Sequence, residues 1–182
     1  MRLDEFDFVS FERGRSPWIE GLWLVLQALF VSSRVVGVRH RAVLLRRFGA
    51  KIGIGTFFRP GLRVKFPWRL EIGDHSWVGE DAWIDNLAPV TIGSHCCLSQ
   101  GVYLCTGSHN WQARKFDLIT APITICDQAW LGAKSMVGPG VTVGEGAVLA
   151  LGSVATMDLK PWWIYQGNPA VPVKERKIRN PV

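Results

Sequence analysis

A six-residue unit led by an aliphatic or aromatic side chain repeats from Ile52 to Ala155, and this period constrains the fold more than any other feature. A period of six fits neither an amphipathic helix nor a plain alternating strand. Each unit must be a short strand followed by a turn, and such units bury their leading residues by stacking. The leading residues are Ile52, Phe58, Val64, Ile72, Val78, Ile84, Ile92, Leu98, Leu104, Ile125, Leu131, Val137, Val143, Leu149 and Ala155. The repeat predicts a mainly β protein that forms a parallel β-helix.

The repeat is interrupted three times, and each interruption follows a third unit. Steps of eight residues follow Val64 and Ile84, and a step of twenty-one residues follows Leu104. If three units close one triangular coil, all the extra residues lie at the same corner. The sequence therefore predicts about five coils over residues 52–160, with a long loop at 106–122 inserted at that corner.

Residues 1–51 form an N-terminal extension for which we expect apolar and basic helices. One helix should begin at Pro17, because proline suits the first helical turn. The apolar run at 18–31 is shorter than the roughly 20 residues needed to span a bilayer, so it is not predicted to be a transmembrane helix. A second helix is predicted at 40–48. Residues 161–182 are expected to be a basic C-terminal tail.

Positive charge is concentrated on either side of the repeat. The net charge is +6, and seven basic residues, with His40 counted, lie between Arg34 and Lys51 without an acid. The tail adds Lys174, Arg176, Lys177 and Arg179. The apolar helix could cover the open end of the β-helix, where strand edges need protection. Alternatively, the apolar and basic N-terminus could make a peripheral contact with an anionic membrane. The sequence has no nucleic-acid-binding motif, so we expect no nucleic-acid partner.

The four cysteines indicate a reducing setting. Cys96, Cys97, Cys105 and Cys126 form no C-x-x-C pair, and no cleavable signal peptide precedes them. We therefore expect a cytoplasmic protein without a zinc site. Cys96 takes the small position of its repeat and Cys105 and Cys126 directly follow leading residues, so none is needed as a nucleophile.

Several motifs resemble those of the hexapeptide-repeat acyltransferases, in the branch of the maltose, galactoside and colanic-acid O-acetyltransferases. The motifs are TGSHN at 106–110, AWLGA at 129–133 and YQGNPA at 165–170; RRFGAKIG at 46–53, after the apolar helix, looks most like the colanic-acid type. The resemblance implies a left-handed β-helix, a homotrimer with active sites between subunits, acetyl-CoA as co-substrate and no metal.

The resemblance assigns His109 as the general base that takes the proton of an acceptor hydroxyl. With an unperturbed pKa of about 6.5, a histidine is largely neutral in the cytosol. Asp85 and Asn86, at the corner one coil below, are candidate acceptor-binding residues, with turn formation as the alternative role. Trp130 corresponds to a family tryptophan that walls the site.

Residues of the late coils correspond to those that line the coenzyme A groove in this family. They are Gly132, Ala133, Leu151, Gly152 and Thr156, with Lys174 and Arg176 near the nucleotide phosphates. Leu151 and Met157 stand where the family usually has alanine and lysine, which affects the details of cofactor contact. His75 and His95 each lie three places after a leading residue, which predicts stacked turn residues twenty positions apart.

The expected function is acetyl-CoA-dependent O-acetylation of a sugar hydroxyl in exopolysaccharide or other glycan biosynthesis, with a sugar or lipid-linked saccharide as acceptor. One alternative is an acetyltransferase for a small diffusible acceptor, such as a free sugar, an antibiotic or an amine. A carbonic anhydrase-like metalloenzyme would need a histidine triad, for which the repeat offers His75, His95 and His109. A non-catalytic β-helix scaffold is the remaining alternative.

Overall fold

The computed structural model describes residues 2–6, 11–35 and 39–178, and nineteen short strands dominate this part of the chain. In chain order they are β1 (Lys51–Ile52), β2 (Phe57–Phe58), β3 (Arg63–Val64), β4 (Leu70–Ile72), β5 (Trp77–Val78), β6 (Trp83–Asp85), β7 (Val90–Ile92), β8 (Cys97–Leu98), β9 (Tyr103–Cys105), β10 (Gly107–His109), β11 (Leu118–Thr120), β12 (Ile123–Ile125), β13 (Trp130–Leu131), β14 (Met136–Val137), β15 (Thr142–Val143), β16 (Val148–Leu149), β17 (Val154–Ala155), β18 (Trp163–Gly167) and β19 (Ala170–Glu175). Apart from β10 and β11, these strands form three sheets.

The three sheets are the faces of a triangular coil, and the chain visits them in the order A, B, C. Face A contains β1, β4, β7, β12 and β15; face B contains β2, β5, β8, β13, β16, β18 and β19; face C contains β3, β6, β9, β14 and β17. Neighbouring strands are parallel, except that β19 runs antiparallel to β18. The parallel β-helix predicted from the period is therefore confirmed.

The leading residues pair with one another from coil to coil. On face A, Ile52, Ile72 and Ile92 occupy equivalent register positions. From Phe58 onward every leading residue is at most 3% exposed, so this column of side chains forms the core. The five predicted coils are present, and Leu159 and Tyr165 add a partial sixth turn by pairing with the fifth coil. Each fully buried Val, Leu, Ile or Phe among the leading residues contributes roughly 1.5–3 kcal/mol to the stability of the fold.

The corner between faces C and A, called the C/A corner below, contains all the insertions, as the repeat predicts. A 3-10 turn, Pro67–Arg69, occupies it in the first coil, and residues 86–89 occupy it in the second. In the third coil, residues 106–122 leave the β-helix and form an antiparallel hairpin of β10 and β11.

The corner between faces A and B, called the A/B corner, is formed by stacked turns with left-handed backbone. His75 and His95 have φ of 54° and 56°, and their rings lie 5.3 Å apart at 24°. Gly55 precedes them in the stack, where a Cβ would lie 2.3 Å from the Nδ1 atom of His75. The predicted stacked-turn role of the two histidines is confirmed.

The N-terminal extension contains two short helices. Helix α1 is Pro17–Leu26 and continues into a π-helical turn, Gln27–Val31; helix α2 is Arg39–Arg47. The first begins at the predicted proline. The second ends before Gly49, whose φ of +95° is readily adopted by glycine.

These helices cover the edge of the first coil. The indole Nε1 of Trp23 donates a hydrogen bond to the Val64 carbonyl at 2.8 Å, and the Gln27 Oε1 accepts one from the Val64 amide at 2.6 Å. Trp23, Val31 and Leu45 are fully buried and belong to the same core cluster as the leading residues. Protection of an otherwise unpaired strand edge is therefore one role of the extension.

The C-terminal region differs from the predicted tail. Strands β18 and β19 form a hairpin that continues face B, and the peptide bond between Asn168 and Pro169, at its turn, is cis. Arg179, part of the predicted basic tail, lies outside the described residues. Within the described ranges, no helix is long and apolar enough to cross a membrane.

Candidate active site

His109 is the last residue of β10 and lies at the base of the hairpin on the C/A corner. Its Nδ1 atom lies 2.8 Å from the carbonyl oxygen of Phe116, and the two rings stack at 4.2 Å with an angle of 2°. A carbonyl oxygen can only accept a hydrogen bond, so the Nδ1 atom carries the proton. In the neutral imidazole the unprotonated nitrogen is then Nε2, which is the atom that can act as a general base.

The N-terminal segment at 2–6 docks against the same hairpin, a contact that no sequence signal predicted. The Phe6 ring lies 5.5 Å from that of His109, at 60°. Glu5 forms a 2.8 Å ion pair with Arg114, and the Arg2 amide donates to the Arg114 carbonyl at 2.9 Å. The half-buried imidazole of His109 is thus bordered by aromatic rings from two distant parts of the chain.

The following residues of the extension also lie along the C/A corner. Phe11 stacks on Phe66 with ring centroids 6.2 Å apart. The indole of Trp68 donates to the Arg13 carbonyl at 2.9 Å. Both partners belong to the first-coil insertion, so the N-terminus contacts this corner at two heights.

Asp85 lies on face C, one coil below the hairpin, among three other reactive side chains. Its Oδ2 atom accepts a hydrogen bond from the Tyr103 hydroxyl at 3.3 Å, and its Oδ1 atom lies 3.3 Å from the Lys65 Nζ atom. Burial raises the pKa of the Tyr103 phenol well above its usual range, and the neighbouring Cys105 and Asp85 raise it further. The phenol therefore stays protonated and can donate to the carboxylate.

Asn86 has a structural role at the corner. It is fully buried; its Oδ1 atom accepts from the Phe66 amide at 2.9 Å and its Nδ2 atom donates to the Phe66 carbonyl at 2.7 Å. Both ends of the amide are hydrogen-bonded and the residue is fully buried, which favours the turn role. Acceptor binding by Asn86 stays a prediction.

Trp130 is half-exposed on the outer side of face B, where its Nε1 atom donates to the Ser99 hydroxyl at 3.0 Å. In a triangular coil, face B is opposite the C/A corner that carries His109. A site that contains both residues therefore requires two chains. A groove of about 740 Å³ lies on the same face below Trp130, and Arg59, Trp77 and Ser99 contribute to its lining.

The residues predicted to bind coenzyme A lie at several different places on the coil. Gly132, Ala133, Leu151 and Gly152 lie together at the corner between faces B and C, where the Gly152 amide donates to the Ala133 carbonyl at 2.9 Å. A Cβ on Gly132 would lie 2.6 Å from the Leu151 nitrogen, so the close stacking of coils alone explains that glycine.

The remaining expected cofactor residues lie elsewhere. Thr156 follows β17 at the C/A corner, and Lys174 is exposed on β19. The Arg176 Nη1 atom donates to the carbonyls of Gln128 and Gly146, both at 2.9 Å, which holds it at the A/B corner. Within one chain, Thr156, Lys174 and Arg176 therefore do not lie together with the four residues at the B/C corner.

His75, His95 and the cysteines have surroundings that differ from those of His109. His75 and His95 lie at the A/B corner, apart from His109, and no three His, Cys, Asp or Glu side chains of the described residues could hold a metal ion together. Burial raises the pKa of Cys96 to about 11 and also raises the pKa of Cys97 and Cys126. These thiols are therefore poor nucleophiles near neutral pH.

Comparisons with known proteins agree with this architecture. The sequence matches the family described as "Hexapeptide repeat of succinyl-transferase" over residues 69–105 and 122–156. A hexapeptide-repeat acetyltransferase from Vibrio cholerae, solved in complex with acetyl coenzyme A, has a TM-score of 0.83 and 26% sequence identity, covering 95% of this chain and 93% of that one. With a relative that is 40% identical over 92% of this chain, these matches show that the chain belongs to the hexapeptide-repeat acetyltransferases and is an acyltransferase.

Within that class, one relative is similar over nearly the full length. The chain is 40% identical over 167 residues to a putative colanic acid biosynthesis acetyltransferase of Escherichia coli, covering 92% of each protein. It is 27% identical over 146 residues to the galactoside O-acetyltransferase of Escherichia coli, covering 79% of this chain and 72% of that protein. The resemblance stated from the sequence motifs is confirmed.

Proposed function

We propose that the protein transfers an acetyl group from acetyl-CoA to a hydroxyl of a saccharide during the synthesis of an exopolysaccharide or another glycan. The observation that carries this proposal is the hydrogen bond from the His109 Nδ1 atom to the Phe116 carbonyl, because it leaves the Nε2 atom as a base. The names of the relatives support the donor and the type of acceptor.

In the proposed reaction, the Nε2 atom of His109 takes the proton of the acceptor hydroxyl as its oxygen forms a bond to the acetyl carbon. Acetyl-CoA supplies the thioester, whose carbon–sulfur bond breaks. The imidazolium then returns the proton to the departing thiolate, so the base is regenerated. The Phe116 carbonyl stabilises the imidazolium in between, since its oxygen accepts the other N–H.

The B/C corner fits the pantetheine arm of coenzyme A. Gly152 has no atom within 4 Å of the position of a Cβ, and the neighbouring Leu151 side chain is 73% exposed. An extended ligand could approach the backbone at the glycine and contact the leucine. Ala133 lies beside them, and the exposed Lys174 is a cation for the nucleotide phosphates. Thr156 and Arg176 stay predictions for the same ligand.

The active form is a homotrimer with its sites between subunits. Support comes from the position of Trp130 on the face opposite the His109 corner, since the two can share a site only across two chains. In this arrangement the hairpin of one subunit lies against face B of the next. Trp130 then walls the acceptor pocket. Asp85 stays a prediction as an acceptor ligand, since its carboxylate already pairs with Lys65 and Tyr103.

The test is release of the coenzyme A thiol, measured with three kinds of acceptor: a lipid-linked saccharide, the same saccharide without lipid, and amines or antibiotics. We expect turnover with saccharide acceptors. Preference for a free sugar, an amine or an antibiotic would favour the small-acceptor alternative. No turnover with any acceptor, together with no thermal shift by acetyl-CoA, would leave the scaffold alternative.

The role of His109 as general base is tested with His109→Gln, which keeps a side chain of similar size but has no basic nitrogen. We expect kcat to fall by roughly 10²–10⁴-fold, while acetyl-CoA still raises the melting temperature. Retention of more than about a tenth of the turnover would remove His109 from the role of base.

A further inference from the structure

The outer side of α1 is an exposed apolar surface that the fold does not use. Trp18, Leu22 and Val25 follow one another at helical spacing and are 89%, 54% and 56% exposed. Leu29 and Phe30 extend the surface through the π-helical turn, at 58% and 41%. The inner side of the helix already provides Trp23 to the core, so the outer residues are not needed for capping. Contiguous exposed apolar side chains of this kind mark an interaction surface.

Helix α2 borders this surface with apolar and basic side chains. Val43 is 64% exposed, and a groove of about 680 Å³ between the two helices is lined by Leu26, Phe30, His40, Val43, Leu44, Arg46 and Arg47. Glu20 is the one acid within α1, its π-helical turn and α2, and it is largely buried in an ion pair with Arg13. The combined surface is therefore apolar with a cationic border.

We propose that α1 and α2 form a docking surface for an anionic lipid bilayer, with the side chains of α1 inserted at the interface and Arg47 and His40 near the lipid phosphates. Apolar residues beside cations, without acids, are the composition of helices that lie in the membrane interface. Twofold packing of this surface on a second copy would instead place like charges together.

The position of the surface suits a lipid-linked acceptor, and this step alone rests on the proposed function. The helices cover the first coil, whereas the His109 hairpin leaves from the third. With strands about 4.8 Å apart and a helix about 10 Å across, His109 stands about 20 Å from the lipid side of α1. A bilayer at that end leaves the His109 hairpin within reach of a saccharide that extends from the lipid by a few sugar units.

The experiment is co-sedimentation of the full chain with vesicles, either of phosphatidylcholine alone or of equal parts phosphatidylcholine and phosphatidylglycerol. We expect binding to the mixed vesicles that weakens with salt. Leu22→Ser with Val25→Ser should lower the partition coefficient by about tenfold, and Arg47→Glu by about fivefold or more. The matched control, Val171→Ser with Ile178→Ser, removes side chains that are similarly exposed, away from the helices, and should bind as the wild type does.

Three results would overturn the docking surface. The first is wild-type protein that does not sediment with the mixed vesicles, and the second is a Leu22 and Val25 double variant that sediments equally well. The third is a double variant whose oligomer dissociates in gel filtration without lipid, which would make the surface an interface between copies. Vesicle binding is measured without acetyl-CoA, and turnover with a water-soluble saccharide is measured without vesicles, so failure of either proposal is recognised separately.

Discussion

His109 and Phe116 are joined twice at the base of the hairpin, by a 2.8 Å hydrogen bond from imidazole to carbonyl and by parallel rings 4.2 Å apart. The carbonyl determines which nitrogen holds the proton. The ring determines the plane of the imidazole. Phe116 makes both contacts from a left-handed backbone, with φ of 55°.

Replacing the Phe116 ring tests its share in positioning the base. Phe116→Gly keeps the left-handed backbone, and with it the carbonyl, but removes the stack. We expect kcat to fall about tenfold with little change in the KM for acetyl-CoA, because a displaced base affects the reaction more than donor binding. Steady-state kinetics measure both, and Phe116→Tyr, which keeps the ring, should retain activity. Equal loss in the two variants would contradict a role for the stack.

Phe6 should affect the acceptor more than the fold. Its ring borders His109, yet no residue of the 3-10 turn Leu3–Glu5 is buried. We expect Phe6→Ala to lower kcat/KM for the saccharide about tenfold and to change the free energy of unfolding by less than about 1 kcal/mol. Leu3→Ala is the control, since that side chain is 61% exposed. Equal kinetics for the two variants would show that the docked segment does not shape the site.

Asn86→Ala should destabilise the protein because it leaves the Phe66 amide and carbonyl without their partner. With about 1–3 kcal/mol for each of the two buried groups, we expect a loss of about 2–6 kcal/mol in urea unfolding. Gln112→Ala, at an exposed position, should change stability by less than about 0.5 kcal/mol. If Asn86→Ala keeps full stability but raises the KM for the acceptor, the residue binds substrate after all.

Trp23 and Trp18 lie on one helix, and the same substitution should destabilise the protein at the first position only. Trp23→Phe removes the hydrogen bond to Val64 and part of the core volume, so we expect a loss of about 1–3 kcal/mol in the free energy of unfolding. Trp18→Phe should leave stability unchanged, because Trp18 is 89% exposed. Similar losses would mean that both sides of α1 are packed.

The Cys96 thiol should give a pH-dependent contribution to stability. Burial raises its pKa to about 11, whereas a thiol in the unfolded chain ionises near pH 8.5. Ionisation then favours the unfolded state, so stability should fall as the pH rises from about 8.5 towards about 11. Urea unfolding across this range, compared with Cys96→Ala, isolates the contribution. Rapid alkylation of Cys96 in the folded protein at pH 8 would contradict the burial.

The sequence predicted the coil well because the coil is specified locally. A leading residue every sixth position is enough to place a strand on each face, and the positions of the three longer steps placed the insertions at one corner. Pro17 and Gly49 marked the limits of the helices for equally local reasons. The partial sixth turn was missed because Leu159 follows Ala155 by four residues and does not continue the period.

Only the tertiary structure decided what surrounds His109. Glu5 meets Arg114 across more than a hundred positions, and contacts at such separation leave no periodic trace. The burial of Asn86 depends on how one corner folds on the next, and the C-terminal hairpin depends on the exposed edge of the last coil. The sequence by itself determined a repeating coil and the histidine on its largest insertion. The three-dimensional packing decided that Glu5 and Phe6 reach the hairpin of that histidine, because contacts between distant segments have no period in the sequence.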